Sequence, residues 1–343
     1  MRTNTNALLL SPSYHGTSFA EISDALVKVI EAKRLPIDIV GRQEHFSNTL
    51  AANKLDDSRF IEAHLQNIQN LLRGRYRKVL SMDFYSLGLD MLQYQADQEE
   101  RPIELGALFH GASFMDRDVY EEGWISKFEQ AWGNLYSKIY SPSPDSVDNF
   151  PGELRPKVRV FPWGMDNFEK VASEEKTIEV LFPHRLSADK GIPDLIEIAK
   201  LIPDVTIHIT VPQTQSELEN NEYYKDLQNL ANLRFIVGES DEEHHHSLAR
   251  SKIVLSSAYQ ELFGYSVMKA VASGAIPVLP NRQCYPHYFA KENIYTTNQN
   301  AADKITTILS DLAEQERITK LTEETRTKIG AFSFEAILKD FFG

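Results

Sequence analysis

The sequence has little of three things: cysteine, long apolar runs and net positive charge. Its single cysteine, Cys284, excludes an internal disulfide and is typical of a protein in the reducing cytoplasm. No stretch approaches the roughly 20 apolar residues that span a bilayer, so we expect no insertion into a membrane. The opening residues, MRTNTNALLLSPSYHG, contain too short an apolar run for a secretion signal. Together these features predict a cytoplasmic protein.

The charge balance is acidic. The chain has 36 Lys and Arg against 49 Asp and Glu, which gives a formal net charge of -13 at pH 7. This balance argues against a generally basic nucleic-acid binder, because neutralising phosphates requires clustered Lys and Arg. One local exception is RGRYRK at residues 73–78, with three arginines, a lysine and a tyrosine. That stretch is either a solvated turn before a strand or a small basic patch.

The length and the apolar pattern predict two domains. A chain of 343 residues is too long for one compact core. Strand-length apolar runs alternate with segments of helical period, which predicts parallel sheets covered by helices. The charged segment at 165–177 separates two such series. We therefore predict an α/β fold with two Rossmann-like, doubly wound domains, at 1–168 and 169–330, and a C-terminal helix at 331–343 that returns to the first domain. Such sheets bind ligands at the carboxyl ends of their strands, here in a cleft between the domains.

A turn in the second half has the composition of an anion site. In FPHRLSADKGIPDL, Arg185 follows the end of a strand and Lys190 comes just before a helix. Both cations are then close to the free N–H groups at the positive end of that helix, which suits a diphosphate. The alternative is a charged surface loop, since Arg and Lys are common in loops.

A later turn, AYQELFGYSVMKA, places Glu261 ahead of Phe263 and Gly264 at the entrance of an apolar helix. The glycine lets the backbone come close to a ligand. An unpaired acid beside an apolar helix start is costly unless it binds something, and sugar hydroxyls are suitable partners. Taken alone, the acid could equally complement the helix dipole.

These motifs occur in the order found in a known family. PHRLSADKG, followed by the segment from RFIVG to AIPVLP, resembles the nucleotide-binding half of family 4 glycosyltransferases of the two-domain GT-B type. In that family, Lys follows a strand-ending Arg by five residues, and a later loop has Glu-any-Phe-Gly before a helix. Within the family, LFHG, FPHR, CYPHYF and FSFEAI are similar to segments of the tRNA-queuosine mannosyltransferase group, whereas HGASF departs from that group's His-Glu-Asn.

The resemblance implies a retaining, metal-independent transfer from a nucleotide-diphosphate sugar. Arg185 and Lys190 would hold the diphosphate and stabilise the charge on the leaving group, a task that a metal ion performs in other glycosyltransferases. Glu261, with Phe263 and Gly264 beside it, would contact the donor sugar. No cofactor is implied besides this donor substrate.

The first domain would bind the acceptor. By the same resemblance, His110 in LFHG would face the donor sugar, and Gly16 in SPSYHGTSF would let backbone amides approach the reacting centre. The predicted acceptor is a modified nucleobase in tRNA or DNA, which would have to be unstacked. A glycan, a protein or a small molecule is the alternative acceptor that the acidic composition favours.

One position departs from the family pattern. The family usually has a second glutamate eight residues after the first, generally assigned to the ribose hydroxyls, and this sequence has Lys269 there. A lysine ammonium cannot accept hydrogen bonds from hydroxyls. Another residue then holds the ribose, or Lys269 meets a phosphate, or the chain is a non-catalytic nucleotide-sugar-binding module. We favour altered donor contacts, because Arg185, Lys190 and Glu261 remain.

Two apparent metal motifs have simpler explanations. MDRD, with Asp116 and Asp118, resembles the acid pair of metal-dependent glycosyltransferases, but acids at a helix start explain it better. Three consecutive histidines at 244–246 point about 100° apart on a helix, so they do not converge easily on one ion. We therefore expect no metal site.

Overall fold

Strands and helices alternate along the chain in the structure, which is a computed structural model. The structure describes residues 5–11, 13–14, 18–41, 45–46, 58–86, 88–115, 123–168, 175–211 and 215–343. Its strands are β1 (Thr5–Leu9), β2 (Ser13–Tyr14), β3 (Ile37–Val40), β4 (His45–Phe46), β5 (Tyr76–Ser81), β6 (Glu104–Leu108), β7 (Lys138–Ser141), β8 (Val158–Val160), β9 (Ile178–Phe182), β10 (Ile207–Val211), β11 (Leu233–Val237), β12 (Ser251–Leu255), β13 (Ile276–Pro280) and β14 (Ile294–Tyr295). Its helices are α1 (Ser18–Ala32), α2 (Ser58–Leu72), α3 (Leu89–Gln98), α4 (Gly123–Leu135), α5 (Asp145–Asn149), α6 (Ile192–Leu201), α7 (Gln215–Glu219), α8 (Tyr224–Leu227), α9 (Asp241–Arg250), α10 (Tyr265–Ala272), α11 (Tyr285–Tyr288), α12 (Asn298–Ser310), α13 (Leu312–Gly330) and α14 (Glu335–Phe342).

The chain divides into two compact units. The first contains Met1–Asn167 and Phe332–Gly343, and the second contains Phe168–Ala331. Each unit has its own six-stranded sheet. The prediction of an α/β fold with two Rossmann-like domains is therefore confirmed. None of the helices in the described part of the chain has both the length and the apolar composition needed to cross a bilayer.

The sheet of the first unit has the order β3-β1-β5-β6-β7-β8, and its neighbouring strands are parallel. Parallel strands are covered by helices on both faces, so their sequences are apolar without alternation. The segment Ala7–Leu10 shows this, because all four of its side chains are buried. The strand order reverses between β1 and β5, which is where an open sheet of this type offers a binding crevice.

The sheet of the second unit has the order β11-β10-β9-β12-β13-β14, again with parallel neighbours. In chain order this is the arrangement 3-2-1-4-5-6 of the dinucleotide-binding fold. Its order reverses between β9 and β12, which pair directly from Ser251 with Ile178 onwards. The segments that follow β9 and β12 therefore emerge side by side at the carboxyl edge.

The C-terminal helix α14 packs within the first unit. The Lys78 ammonium donates to the carbonyl oxygen of Phe341 at 2.7 Å, and Lys138 Nζ donates to Asp340 through its carbonyl (2.7 Å) and its carboxylate (3.0 Å). The Tyr140 hydroxyl donates to the same carboxylate at 2.6 Å. The ammonium groups of Lys78 and Lys138 thus lie at the last turn of α14. There they bind carbonyls that have no partner within the helix and complement the negative end of the helix dipole.

Gly106 on β6 tests how closely α14 packs. A Cβ atom at this position would lie 2.6 Å from the ring of Phe341, which is fully buried. We expect Gly106→Ala to lower the free energy of unfolding by about 1–3 kcal/mol, because a packed core resists an added methyl group. The measurement is urea unfolding followed by circular dichroism. Gly152→Ala is the matched control, since nothing lies within 4 Å of its Cβ position. Equal stability of the two variants would contradict the packing of α14.

Candidate functional site

The candidate site lies where the strand order of the second sheet reverses. Residues 183–191 follow β9 and residues 256–264 follow β12, so both turns leave the same edge of the sheet. The first turn leads into α6 and the second into α10. Two helices therefore begin beside two polar turns, at the place where doubly wound sheets bind ligands.

Lys190 and Glu261 are brought together from the two turns. Lys190 Nζ lies 3.0 Å from Glu261 Oε2 and donates to the carbonyl oxygen of Gln260 at 3.1 Å. The side chains of both members of the ion pair are largely buried, with 11% and 16% exposed. The sequence placed these residues 71 positions apart as separate motifs, and the fold makes them one pair.

Asp189 links the two cations of the first turn. Its Oδ2 lies 2.8 Å from Arg185 Nη2 and 3.2 Å from Lys190 Nζ. The Ser187 hydroxyl donates to Oδ1 of the same carboxylate and accepts from Arg185 Nε at 3.0 Å. The Asp189 carboxylate is buried, whereas the Arg185 side chain is 45% exposed. Arg185 therefore combines an anchored guanidinium with an edge open to solvent.

Both carboxyl groups of the cluster have a pKa below the usual range. Burial alone would raise the pKa of the Glu261 carboxyl, but the neighbouring groups together, with the charge of Lys190 the largest among them, hold that pKa below its usual range. The same competition applies at Asp189, where Lys190 and then Arg185 lower the pKa against the effect of burial. The site thus contains two ammonium or guanidinium groups and two carboxylates in a mostly buried cluster.

Backbone contacts hold the two turns against each other. Gly191 has φ +67°, and a Cβ atom there would lie 1.9 Å from the carbonyl oxygen of Ser257. The Ser257 hydroxyl donates to the carbonyls of Lys190 (3.0 Å) and Gly191 (2.9 Å). In return, the amides of Tyr259 and Gln260 donate to the carbonyl of Asp189 at 2.8 and 3.1 Å. Only glycine combines this backbone conformation with so close an approach.

Gly264 also has a left-handed backbone, with φ +77°, immediately before α10. Its amide donates to Glu261 Oε1 at 3.1 Å, so the carboxylate joins a helix entrance to Lys190. Phe263 is buried, with its ring 4.9 Å from that of Tyr265. The Phe263 side chain is thus part of the packing beneath the turn.

Lys269 is buried on α10 and contacts α9. Its Nζ lies 3.2 Å from His245 Nε2. A lysine ammonium is only a donor, so His245 accepts through an unprotonated Nε2. The neighbouring His244 instead directs Nδ1 to Glu239 at 3.3 Å. In the described residues, no group of three His, Cys, Asp or Glu side chains could hold a metal ion.

Two further residues, Arg282 and His184, hold the turns, and the sequence motifs predict no role for either side chain. Arg282 Nη2 donates to Asp194 Oδ2 at 2.7 Å and to the carbonyl of Ser257 at 3.0 Å, while its Nε donates to Ala258 O. In the sequence, His184 belongs to the Pro-His-Arg segment. Its buried Nε2 lies 2.9 Å from Ser256 Oγ. Burial lowers the pKa of His184 to about 4, so the imidazole is neutral at physiological pH.

His110 lies at the corresponding edge of the first sheet, just after β6. Its Nε2 is 2.7 Å from the carbonyl oxygen of Met82, which follows β5. A carbonyl only accepts, so Nε2 carries a proton and donates it. The ring of Phe19 is 4.2 Å away and that of Trp163 is 5.4 Å away, centroid to centroid. His110 is thus held at the crevice of its own sheet with a defined ring orientation.

The loop after His110 depends on a buried acid. Glu129 on α4 is fully buried, and its carboxylate accepts from the amide of Ser113 at 2.8 Å and from the Ser113 hydroxyl. Burial raises the pKa of the Glu129 carboxyl to about 7, against the opposing effect of the Ser113 amide. Its protonation state therefore changes near neutral pH.

Three sequence expectations fall elsewhere. Gly16 lies outside the described residues, as do Asp116 and Asp118. The basic stretch RGRYRK begins after α2 and runs into β5, with Arg73 and Arg75 at the amino edge of the first sheet and Arg75 near Glu99 at 3.6 Å. Since β5 has six residues of about 3.3 Å each, Arg75 is roughly 20 Å along the strand from the edge that holds His110, whereas Lys78 lies within β5 and donates to the carbonyl of Phe341.

Comparison with known proteins agrees with this geometry. Residues 165–325 match the family described as Glycosyl transferases group 1. The matched residues cover most of the second unit, Phe168–Ala331. The match contains both turns of the candidate site and the pair of Lys190 with Glu261.

Solved structures extend the likeness to the whole fold. A sucrose-phosphate synthase from Thermosynechococcus elongatus aligns over 99% of this chain and 97% of its own, with a TM-score of 0.70 and 15% identity. HepE from Anabaena, solved in complex with UDP and glucose, covers 99% and 98% with a TM-score of 0.67 and 16% identity. The two-domain glycosyltransferase fold predicted from the motifs is confirmed.

A curated relative gives a narrower match. The tRNA-queuosine alpha-mannosyltransferase of Drosophila melanogaster is 28% identical over 135 residues. These residues are 38% of this chain and 36% of the relative, so the chain matches about a third of the relative's length.

Gly191→Ala tests the contact between the two turns of the candidate site. The variant combines a strained φ with a clash against Ser257, so we expect it to lose about 2–5 kcal/mol of unfolding free energy. Gly238→Ala is the control, because Gly238 has the same φ of +67° and nothing within 4 Å of its Cβ position. It should lose only the backbone cost of about 1–2 kcal/mol. Urea unfolding of both variants measures the difference in unfolding free energy that is due to the contact with Ser257. Similar losses of unfolding free energy in the two variants would argue against this contact.

Glu129→Gln tests the buried acid behind the His110 loop. A raised pKa means that the folded state binds the proton more tightly, so the stabilisation is complete below the ordinary glutamate pKa and is lost as the pH rises towards about 7. We expect the stability of the parent relative to Glu129→Gln to fall across this range, by at most about 1.4 kcal/mol per pH unit. Urea unfolding at pH 5, 6, 7 and 8 measures it. Glu153→Gln, at an exposed site of the same unit, controls for the loss of a carboxylate. A difference that is constant with pH would disprove the assignment.

Proposed function

We propose that the protein transfers a sugar from a nucleoside diphosphate donor to an acceptor hydroxyl, with retention at the anomeric carbon and without a metal ion. The observation that carries the proposal is the joining of Arg185, Lys190 and Glu261 at the reversal point of the second sheet. These residues come from two turns of the matched glycosyltransferase domain. Cations beside helix starts suit a diphosphate, and a carboxylate next to them suits sugar hydroxyls.

In the proposed reaction, the acceptor oxygen forms a bond to the anomeric carbon as the bond from that carbon to the phosphate oxygen breaks. The bonding electrons leave with the nucleoside diphosphate, and the proton of the acceptor hydroxyl passes to a phosphate oxygen. Arg185 and Lys190 stabilise the charge that develops on this leaving group, because both already point into a mostly buried cluster. They take the task that a divalent metal has in other enzymes.

Glu261 is proposed to bind hydroxyls of the donor sugar. Its Oε1 already accepts from the Gly264 amide and its Oε2 from Lys190, which fixes the carboxylate and leaves further lone pairs on both oxygens. We further propose that His110 contacts the reacting sugar, since its ring is held at the crevice of the first sheet. Lys269 does not replace the family's second glutamate as a ribose acceptor, so other groups hold the ribose.

For the acceptor we propose a modified nucleobase of tRNA or DNA. The support is the similarity to the Drosophila tRNA-queuosine alpha-mannosyltransferase over 135 residues. The basic stretch at 73–78 does not add to it, because Arg73 and Arg75 lie at the other edge of the first sheet and Lys78 donates to the carbonyl of Phe341. A small molecule, a glycan or a protein is the competing acceptor, consistent with the net charge of -13.

Donor binding is tested by thermal shift with UDP, GDP, ADP and dTDP and their sugars. We expect at least one of them to raise the melting temperature, because a ligand that binds only the folded state stabilises it. Arg185→Ala should remove most of the shift. Arg317→Ala is the matched control, since Arg317 is also about half exposed and paired with an acid of the same chain segment, Glu314. An unchanged shift in Arg185→Ala would remove the phosphate assignment.

The same nucleotide then serves to test turnover. Glu261→Gln keeps the shape of the side chain but weakens its acceptance of hydroxyl hydrogen bonds, so transfer and slow donor hydrolysis should fall by at least about tenfold. Tight nucleotide binding without turnover on tRNA, DNA, glycan or small-molecule acceptors would favour a binding module over an enzyme.

A further inference from the structure

Asp189 occupies a position that the proposed reaction does not use. In the described residues, it is the one side chain that forms ion pairs with both Arg185 and Lys190. It is 3% exposed, whereas the guanidinium that it holds is about half exposed. A buried acid between two cations needs an explanation, because removing a carboxylate from water is costly unless its partners repay the cost.

The carboxylate of Asp189 cannot move away from these cations. Its residue lies in the short helical turn Ala188–Lys190, and its carbonyl accepts from the amides of Tyr259 and Gln260. The Ser187 hydroxyl holds Oδ1. Residues of the second turn therefore fix the backbone of Asp189, and Ser187 of the first turn fixes its side chain.

The charges of the cluster cancel. Arg185 and Lys190 carry two positive charges, and Asp189 and Glu261 carry two negative charges, all within ion-pair distance of a partner. A nucleoside diphosphate thus meets a site of no net charge. Its phosphate oxygens would share Arg185 and Lys190 with the Asp189 carboxylate, because a guanidinium binds carboxylate and phosphate with the same geometry and one edge of Arg185 is open to solvent.

We propose that Asp189 is a positioning residue that holds Arg185 and Lys190 in place before the donor arrives and, by occupying them with a carboxylate, weakens the binding of the nucleoside diphosphate. This rests on the proposed function of the site. The fixed carboxylate reduces the rotamer freedom that Arg185 would otherwise lose on binding. It also limits how tightly the leaving nucleoside diphosphate is retained.

Asp189→Asn separates these effects from a purely structural role. The amide keeps the size of the side chain and removes one negative charge beside both cations. We expect the dissociation constant of the nucleoside diphosphate to fall by about tenfold, as expected when a like charge is removed close to an anion site. We expect kcat to fall as well, because Arg185 loses one of its anchors and product release slows. A structural role alone predicts weaker binding, so the direction of the change decides.

Two variants serve as controls. Asp189→Glu keeps the charge and should stay within about threefold of the parent in affinity, which makes it the rescue variant. Glu314→Gln also removes a carboxylate paired with an arginine, Arg317, at 2.6 Å, and in the described residues Glu314 has no ion pair to Arg185 or Lys190. It should change the affinity by less than about twofold. Where Asp189→Asn does not fold, Asp189→Ser removes the same charge with a smaller hydroxyl side chain.

The experiment is isothermal titration of the purified full chain with UDP, GDP, ADP and dTDP, at two salt concentrations. Tighter binding in Asp189→Asn, with a steeper loss of affinity at high salt, supports the proposal. Unchanged or weaker binding in this variant, with normal binding by the parent, overturns the role of Asp189 and leaves the proposed function standing. No binding of any nucleotide by the parent overturns both.

Discussion

The contact between the turns after β9 and β12 is the constraint on which the candidate site depends. The two strands are neighbours in the sheet, so the turns leave it side by side. The close approach of Gly191 to the Ser257 carbonyl, and the two amides that donate to Asp189 O, then set their spacing. Lys190 and Glu261 pair only because this backbone contact brings them within 3.0 Å.

Charge is the second feature of the site. Isolated buried charges are expensive, and a buried ion pair contributes little to stability. The cluster around Asp189 is therefore better explained by ligand chemistry than by folding, since it gathers cations at the place where doubly wound sheets bind ligands. Under the proposed function, its two acids would hold the cations in a defined geometry until an anionic ligand replaces part of that contact.

The first unit uses the same sheet geometry for a different group. His110 follows β6 and donates to the Met82 carbonyl after β5, so two neighbouring strands define its ring. Behind it, Glu129 and Ser113 order the following loop. The motif LFHG indicated His110. No nearby sequence pattern indicated the Met82 carbonyl, which determines the protonated nitrogen of His110, or the buried acid Glu129.

Lys269 departs from the family pattern, and the motifs do not predict what its side chain contacts. The sequence excluded a carboxylate at this position and left open what the lysine contacts. The structure directs it to His245 on α9, a residue that had been considered only as a metal ligand. Arg282 had no motif signal because its partner Asp194 is 88 residues away, and Asp189 had none because charged residues in loops are common.

The sequence by itself determined the alternation of strands and helices, the two Rossmann-like domains and the turns that hold Arg185, Lys190 and Glu261. Those properties follow from local periodicity, helix-start chemistry and the spacing of motifs, all of which are written in short stretches of chain. Tertiary structure alone decided that Lys190 pairs with Glu261, that Asp189 joins both cations and that the basic stretch at 73–78 lies away from the edge with His110. The pair of Lys190 with Glu261 joins segments 71 residues apart, and strand order, which no local pattern encodes, determines it. The contacts of Asp189 are local in sequence, and the geometry of the turn determines them.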